Sequence, residues 1–230
     1  AHPHRGFETV TYMLDGRMQH KDHLGNTGDL GPGSVQWMTA GRGVIHSEMP
    51  QQSEGRLRGF QLWLNLPAAE KMQAADYRDI LAEAIPELKF EGGLARVIAG
   101  RLTIGQTEKA GVVNATPGSK STDPLLVDLR LNPSASLTVP IQTGYAAMLY
   151  AYEGDLIVAG SPVPQRTAAV LGEGDRVDLV AGESGARALL LAGRPIGEPI
   201  VQYGPFVMNT REEIEQAMAD YRAGRLTEAA

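Results

Sequence analysis

Residues 2–16, HPHRGFETVTYMLDG, align without gaps to residues 140–154, PIQTGYAAMLYAYEG, and this internal repeat constrains the fold more than any other feature of the chain. Gly6 faces Gly144, Phe7 faces Tyr145, and the turn Asp15-Gly16 faces Glu153-Gly154. Further on, Leu30-Gly31-Pro32-Gly33-Ser34 resembles Leu171-Gly172-Glu173-Gly174-Asp175, each leading into a strand-like run. Turn signals in the same order in both halves read as a duplicated β unit.

The local pattern agrees. Glu8 to Leu14 is rich in β-branched and aromatic residues and closes on Asp15-Gly16, a hairpin signal. Gly25-Asn26, Gly31-Pro32-Gly33 and Gly41-Arg42-Gly43 punctuate the next runs, and Phe60 to Leu66 alternates with period two. The expectation is an all-β fold. With 230 residues and 43% hydrophobic content, each half has enough apolar surface for its own core. A boundary near residue 115 is expected, with residues 1–115 as one domain and 116–230 as the other. Two stretches break the rhythm. Propensity favours helix from Pro67 to about Ala75. A second helix, over about 210–223, opens on the capping box Thr210-Arg211-Glu212-Glu213, carries Ile214, Ala217, Met218 and Tyr221 as one stripe, and stops at Gly224.

The chemistry points to the first half. Residues i and i+2 of a strand share a face, so His2-Pro3-His4 and His46-Ser47-Glu48 can offer three imidazoles and a carboxylate to one point. An isolated H-x-H is common, and a proline inside it can simply mark a strand edge. The second pair carries more weight: His46 and Glu48 follow the apolar entry Val44-Ile45, where unpartnered charge would be costly to bury. A nitrogen and oxygen set without thiolate argues against a closed structural zinc site and suits a redox-active divalent metal with open positions. All five histidines lie in the first 46 residues, and the repeat sets Pro140 and Gln142 where His2 and His4 stand. Only the first unit is therefore expected to hold the metal. His20 and His23 read as solvated residues near a hairpin.

A net charge of -6 and a pI near 5.4 argue against direct nucleic-acid or anionic-membrane binding. Apolar runs such as Ala188 to Ala192 are too short for a membrane helix, and the absence of cysteine fits a reducing, cytoplasmic location.

HPHRGFETVTYMLDG, GPGSVQWMTAGRGVIHSEMP, LGEGD and GPFVMNTREEIEQA, four blocks in order across the chain, resemble the pirin family of the cupin superfamily. The resemblance implies a bicupin: two antiparallel β-barrels stacked face to face, a metal in the N-terminal one, and a C-terminal helix packed back on the structure. The family ligand set falls on His2, His4, His46 and Glu48, and the family metal is usually iron, Fe(II) here; the ligands alone would also accept manganese, nickel, cobalt or copper. Pirin-like chains carry a longer segment before the H-P-H motif, so the first barrel is expected to lack N-terminal strands. Many cupins use a glutamate four residues after the second histidine; Glu8 has that spacing and is the alternative carboxylate or a hydrogen-bonding neighbour of the ligands.

The resemblance further implies quercetin 2,3-dioxygenase chemistry, the oxygen-dependent ring opening of a polyphenol such as quercetin, with Glu48 accepting the proton of the 3-hydroxyl. Phe7, Met18, Trp37 and Met38 are candidates for an apolar pocket wall or plain core, and Arg5 for a substrate-orienting cation or a solvated strand end. The rival implication is a metal- or redox-dependent regulatory protein acting on a protein partner. A monomer is the expected state.

Overall fold

A computed structural model describes residues 1–228 and divides the chain into two β units. The first comprises Ala1–Ala84 and the segment from Ile196 onward; the second is Ile85–Pro195. The first unit contains β1 (His2–His4), β2 (Phe7–Asp15), β3 (Met18–Asp22), β4 (Thr27–Leu30), β5 (Val35–Thr39), β6 (Val44–Pro50), β7 (Arg58–Asn65) and β8 (Asp76–Ile80). They form two antiparallel four-stranded sheets, ordered β1-β6-β3-β4 and β7-β2-β5-β8. The two short helices are α1 (Ala68–Lys71) and α2 (Arg211–Arg222).

The second unit repeats this plan. Ser136–Pro140, Arg176–Ala181, Leu156–Val158 and Ser161–Val163 make a sheet whose order reproduces β1-β6-β3-β4. Ala186–Gly193, Ala146–Glu153 and Thr167–Val170 reproduce β7-β2-β5. The correspondence reaches single residues. The register of β2 shifts between Met13 and Asp15, and that of the equivalent strand between Ala151 and Glu153, the positions aligned by the sequence repeat. Gly6 and Gly144 adopt φ of +91° and +85°, a conformation L side chains avoid, so each strand entry turns on the same residue type. The chain is thus mostly β, with two cupin-like units and a C-terminal helix, as expected.

The division between units falls thirty residues earlier than the sequence suggests. Glu87–Phe90 and Gly93–Ala99 pair onward to Leu125–Leu131, extending the larger sheet of the second unit to six strands. Pairing across a long loop leaves no local trace, so the stretch from 85 to 115 reads as a continuation of the first domain when it belongs to the second. The C-terminal helix belongs to the first unit instead. Its capping box is present, with Thr210 Oγ1 accepting from Glu213 N at 3.2 Å and the Glu213 carboxylate accepting from Thr210 N at 2.9 Å. Ile214 and Ala217 are buried against Phe206, Met208 and Leu226, whereas Tyr221 is 42% exposed and lies outside the stripe.

Helix α1 is one turn rather than the longer helix propensity favours. Lys71 is 1% exposed, and its Nζ donates to the carbonyls of Gly6 (2.7 Å) and Val207 (2.9 Å) and to Asn65 Oδ1 (2.5 Å). Burial lowers its pKa to about 8, and Glu198 and Glu213 oppose the shift. The next residues, Asp76–Ile80, are drawn into the sheet beside β5, so tertiary pairing overrides the helical preference.

The two interiors differ. The second unit is filled by one apolar cluster that includes Val97, Leu129, Val139, Leu149, Val177, Leu179 and Leu190. The first buries His4, Glu8, Thr9, Thr11, His20, Gln36, Thr39 and His46 among its apolar residues. Polar side chains inside a protein must find partners or lose stability, so this interior has a use other than packing.

Candidate metal centre

The site is built on the sheet of the first unit. β1 and β6 run antiparallel with His2 directly opposite His46, and β3 flanks β6 with His20 opposite Glu48. Alternation along each strand brings His2 and His4, and likewise His46 and Glu48, to a common face. One nitrogen from each of His2, His4 and His46 lies within 4.8 Å of the other two. The rings meet edge to face, with centroids 4.7 Å apart for His2 and His4, 4.4 Å for His2 and His46, and 4.9 Å for His4 and His46. His46 Nε2 is 2.9 Å from His2 Nε2.

Glu48 is placed differently. Its carboxylate joins His46 and His20 in a second trio with the same 4.8 Å spacing. Gln61 Nε2 donates to both of its oxygens, at 3.0 and 2.8 Å, and Thr11 Oγ1 donates to one at 3.2 Å. Gln61 also accepts from Trp63 Nε1 at 3.4 Å. Trp63 in turn stands 5.6 Å from the His4 ring and 4.4 Å from Phe7, and it is 45% exposed. A half-exposed indole therefore borders the imidazole trio and connects to the carboxylate through one amide.

Burial favours the neutral form of His4, His46 and His20. Burial, with the neighbouring His2, pushes His4 down to about 4. Burial, followed by His4 and His2, pushes His46 down to about 3, and burial lowers His20 as well. A neutral imidazole has the lone pair a metal requires. The buried ring nitrogens of His4 bear this out. The Pro205 carbonyl lies near enough to favour a proton on the ring, yet no hydrogen bond of ordinary geometry reaches either nitrogen. A buried nitrogen left this way costs about 1–3 kcal/mol, which a metal ligated by it would offset. Donor type, burial and the lack of an ordinary hydrogen bond to His4 all fit a divalent metal.

The other sequence candidates are distributed more widely. Phe7 is fully buried with its ring 5.2 Å from His4, so it backs the trio. Met18 packs with Met13 and Leu30, and Met38 with Ala40, Val44 and Tyr77. Trp37 is 4% exposed on β5 between Val10 and Arg78. Arg5 is neither a substrate-orienting cation nor a solvated strand end. It is 4% exposed, and its guanidinium donates to the Arg42 carbonyl, to Asp220 Oδ2 at 2.8 Å and to the Leu226 carbonyl at 3.0 Å, tying β1 to the C-terminal segment. Glu8 is in neither trio and accepts from Thr39 Oγ1 at 2.6 Å. His23 is exposed as expected, but His20 is a fully buried strand residue. Sequence reasoning thus missed His20, Gln61 and Trp63. The period-two alternation of β7 sets Gln61 and Trp63 on one face, a signal that was there to be used.

A cleft of about 710 Å³ lies in the second unit, and Arg130 and Arg187 in its lining are paired with Asp128 and Glu153. It contains no histidine. Among the described residues no helix is long and apolar enough to cross a membrane.

A duplicated all-β chain with imidazoles gathered in one of its two units has the form of a bicupin with a single centre. The chain belongs to the pirin family of cupins: the family described as "Pirin" matches residues 1–64, and the "Pirin C-terminal cupin domain" matches residues 126–227. A Pseudomonas aeruginosa protein named "Putative quercetin 2,3-dioxygenase" is 55% identical over 230 residues, covering 98% of this chain and 79% of that one. "Pirin" of Homo sapiens is 43% identical over 228 residues, covering 96% and 75%. A crystal structure of quercetin 2,3-dioxygenase from Acinetobacter baumannii superposes with a TM-score of 0.88 at 36% identity, covering 98% of this chain and 77% of that one.

Proposed function

We propose that this chain holds one divalent metal through His2, His4 and His46, with Glu48 as the carboxylate, and catalyses the oxygen-dependent ring opening of a flavonol. The observation that carries the reading is the convergence of three imidazoles, one of them, His4, buried with no hydrogen bond of ordinary geometry to either nitrogen. The names of the Pseudomonas and Acinetobacter relatives supply the substrate class. When bound, the metal supplies Lewis acidity and the one-electron chemistry that dioxygen requires. Iron is the metal the family favours, and the donor set is equally compatible with manganese, nickel, cobalt or copper.

The remaining work falls to side chains. Glu48 accepts the proton of the flavonol 3-hydroxyl, and Gln61 and Thr11, donating to its oxygens, fix the carboxylate in place. Trp63 offers its exposed face to a flat polyphenol, with Phe7 fixing the indole from behind.

The test is metal content together with quercetin consumption, measured without and with oxygen, on the parent, His46→Ala and Glu48→Ala. Near-stoichiometric metal and oxygen-dependent loss of quercetin, both abolished by His46→Ala, support the proposal. Trp63→Ala is expected to raise KM about tenfold, the worth of one stacked aromatic, with a smaller change in kcat. Stoichiometric metal with no turnover would overturn the enzymatic reading and direct attention to metal-dependent binding of a protein partner.

A further inference from the structure

One fully buried imidazole beside the centre has no role in this chemistry. His20 is 0% exposed on β3, and its ring stacks on Tyr77 at 5.6 Å with the planes 25° apart. Its Nδ1 faces Nδ1 of His46 at 3.3 Å, and its Nε2 is buried without a partner. The opposite nitrogen of His46, Nε2, is the one 2.9 Å from His2.

Two facing ring nitrogens need one proton between them. A neutral imidazole carries a single proton, so the choice of nitrogen on His46 decides which side keeps a lone pair. With the proton on Nδ1 and donated to His20, Nε2 of His46 is bare on the side of His2. With the proton on Nε2 and donated to His2, that nitrogen is blocked and the lone pair points away, toward His20.

We propose that His20 is the positioning residue of the centre, accepting the Nδ1 proton of His46 and so holding His46 in the tautomer that presents Nε2 to the metal. The inference rests on the reading of His46 as a ligand. Ligands commonly have their second nitrogen fixed in this manner, and loss of the fixing group costs about 10–100-fold in metal affinity. His20 stands opposite Glu48 in the strand register, so one sheet sets the ligand, the carboxylate and the group that orients the ligand. Direct ligation through the second trio, His20, His46 and Glu48, is the competing arrangement. It would give up the three-imidazole set of His2, His4 and His46.

Two variants separate these arrangements. His20→Phe keeps a ring to stack on Tyr77 and removes the acceptor. His20→Asn removes the ring and offers a carbonyl oxygen close to where Nδ1 stood. The purified parent, both variants and His46→Ala would be titrated with cobalt(II) against a competing chelator. The dissociation constant and the ligand-field spectrum of the bound cobalt are read together, with thermal melting followed by circular dichroism. His20→Phe is expected to bind about 10–100-fold more weakly with a changed spectrum, and His20→Asn to recover most of the affinity and the parental spectrum. Parental binding by His20→Phe, or a His20→Asn protein that melts like the parent but binds as weakly as His20→Phe, would overturn the assignment. Should the phenylalanine variant not fold, the asparagine variant decides alone: parental binding supports an acceptor and loss of binding overturns it. A parent that takes up no cobalt overturns the metal reading itself. Binding lost in His46→Ala and unchanged in both His20 variants removes only the role of His20.

Discussion

The two halves of this chain share strand order, a register shift at the same aligned position and the same left-handed glycine before the long strand, yet only the first gathers buried histidines among its apolar residues, whereas the second is filled by one large apolar cluster. In the first unit His2 stands across from His46. In the second, the equivalent strand pair sets Leu137 across from Leu179 and Val139 across from Val177, and all four are buried in the main apolar cluster. Pro140 and Gln142, aligned with His2 and His4, are exposed. A duplicated frame therefore does not entail a duplicated site: stability can be concentrated in one copy and chemistry in the other.

The largest expected effect is the most direct test of that contrast. His46→Ala should abolish metal binding and reduce flavonol turnover at least about 100-fold, while Arg176→Ala, across from Pro140 in the second unit, should leave both unchanged. Metal analysis and steady-state kinetics on the two variants would check it, and equal losses would dissolve the distinction.

Acid should also separate the units in metal-free protein. His4 and His46 are held at about 4 and about 3 when folded, below the ordinary histidine value near 6.5. The unfolded chain thus binds those protons more readily. The stability they contribute is complete above about pH 6.5 and is lost as the pH falls toward 4 and then 3. The second unit has no histidine, so hydrogen exchange between pH 7 and 4 should show protection falling in β1 and β6 well before it falls in Leu125–Leu131. Saturating metal should oppose the loss at the upper end of this range.

Removing apolar volume should act the other way round. Leu149 is fully buried in the second core, and Leu149→Ala is expected to cost about 2–5 kcal/mol in denaturant unfolding. Metal stoichiometry should not change; a fall in both would mean the units are less independent than their interiors suggest. The smallest effect is expected at the cap of α2, where Thr210→Ala removes an acceptor from Glu213 N and should cost about 1 kcal/mol. Because α2 packs in the first unit, a melting shift confined to the second would contradict that assignment.

The parts of this structure legible in the sequence are those fixed by short-range pattern. Strand alternation, the glycine turns and the capping box at Thr210 are local, and the repeat made the duplication visible. The convergence of His2, His4 and His46 was legible too, because spacing by two on facing strands leaves little freedom. What failed depended on distant partners. His20 lies four residues after Gly16 and reads as loop until β6 is known to lie beside it. Arg5 and Lys71 look like surface charges, and their burial is completed by residues more than a hundred positions away, among them Asp220 and Val207. The stretch from Pro67 to Ala75 has the composition of a helix, and the open edge of β5 takes the residues that follow it into the sheet.

The return of the C-terminal segment to the first unit also imposes a timetable. Lys71 donates to the Val207 carbonyl, Arg5 to Asp220 and to the Leu226 carbonyl, and Gly6 packs so closely on Val207 that a Cβ there would come within 2.1 Å of its oxygen. None of those partners exists when β1 to β8 first leave the ribosome. At about 5–20 residues per second, the intervening second unit occupies the ribosome for on the order of ten seconds. During that interval the histidine-bearing strands are synthesised, but their buried lysine and arginine have only part of their final partners: Gly6 and Asn65 for Lys71, Arg42 for Arg5. The half of the molecule that is made first is therefore the half that is finished last.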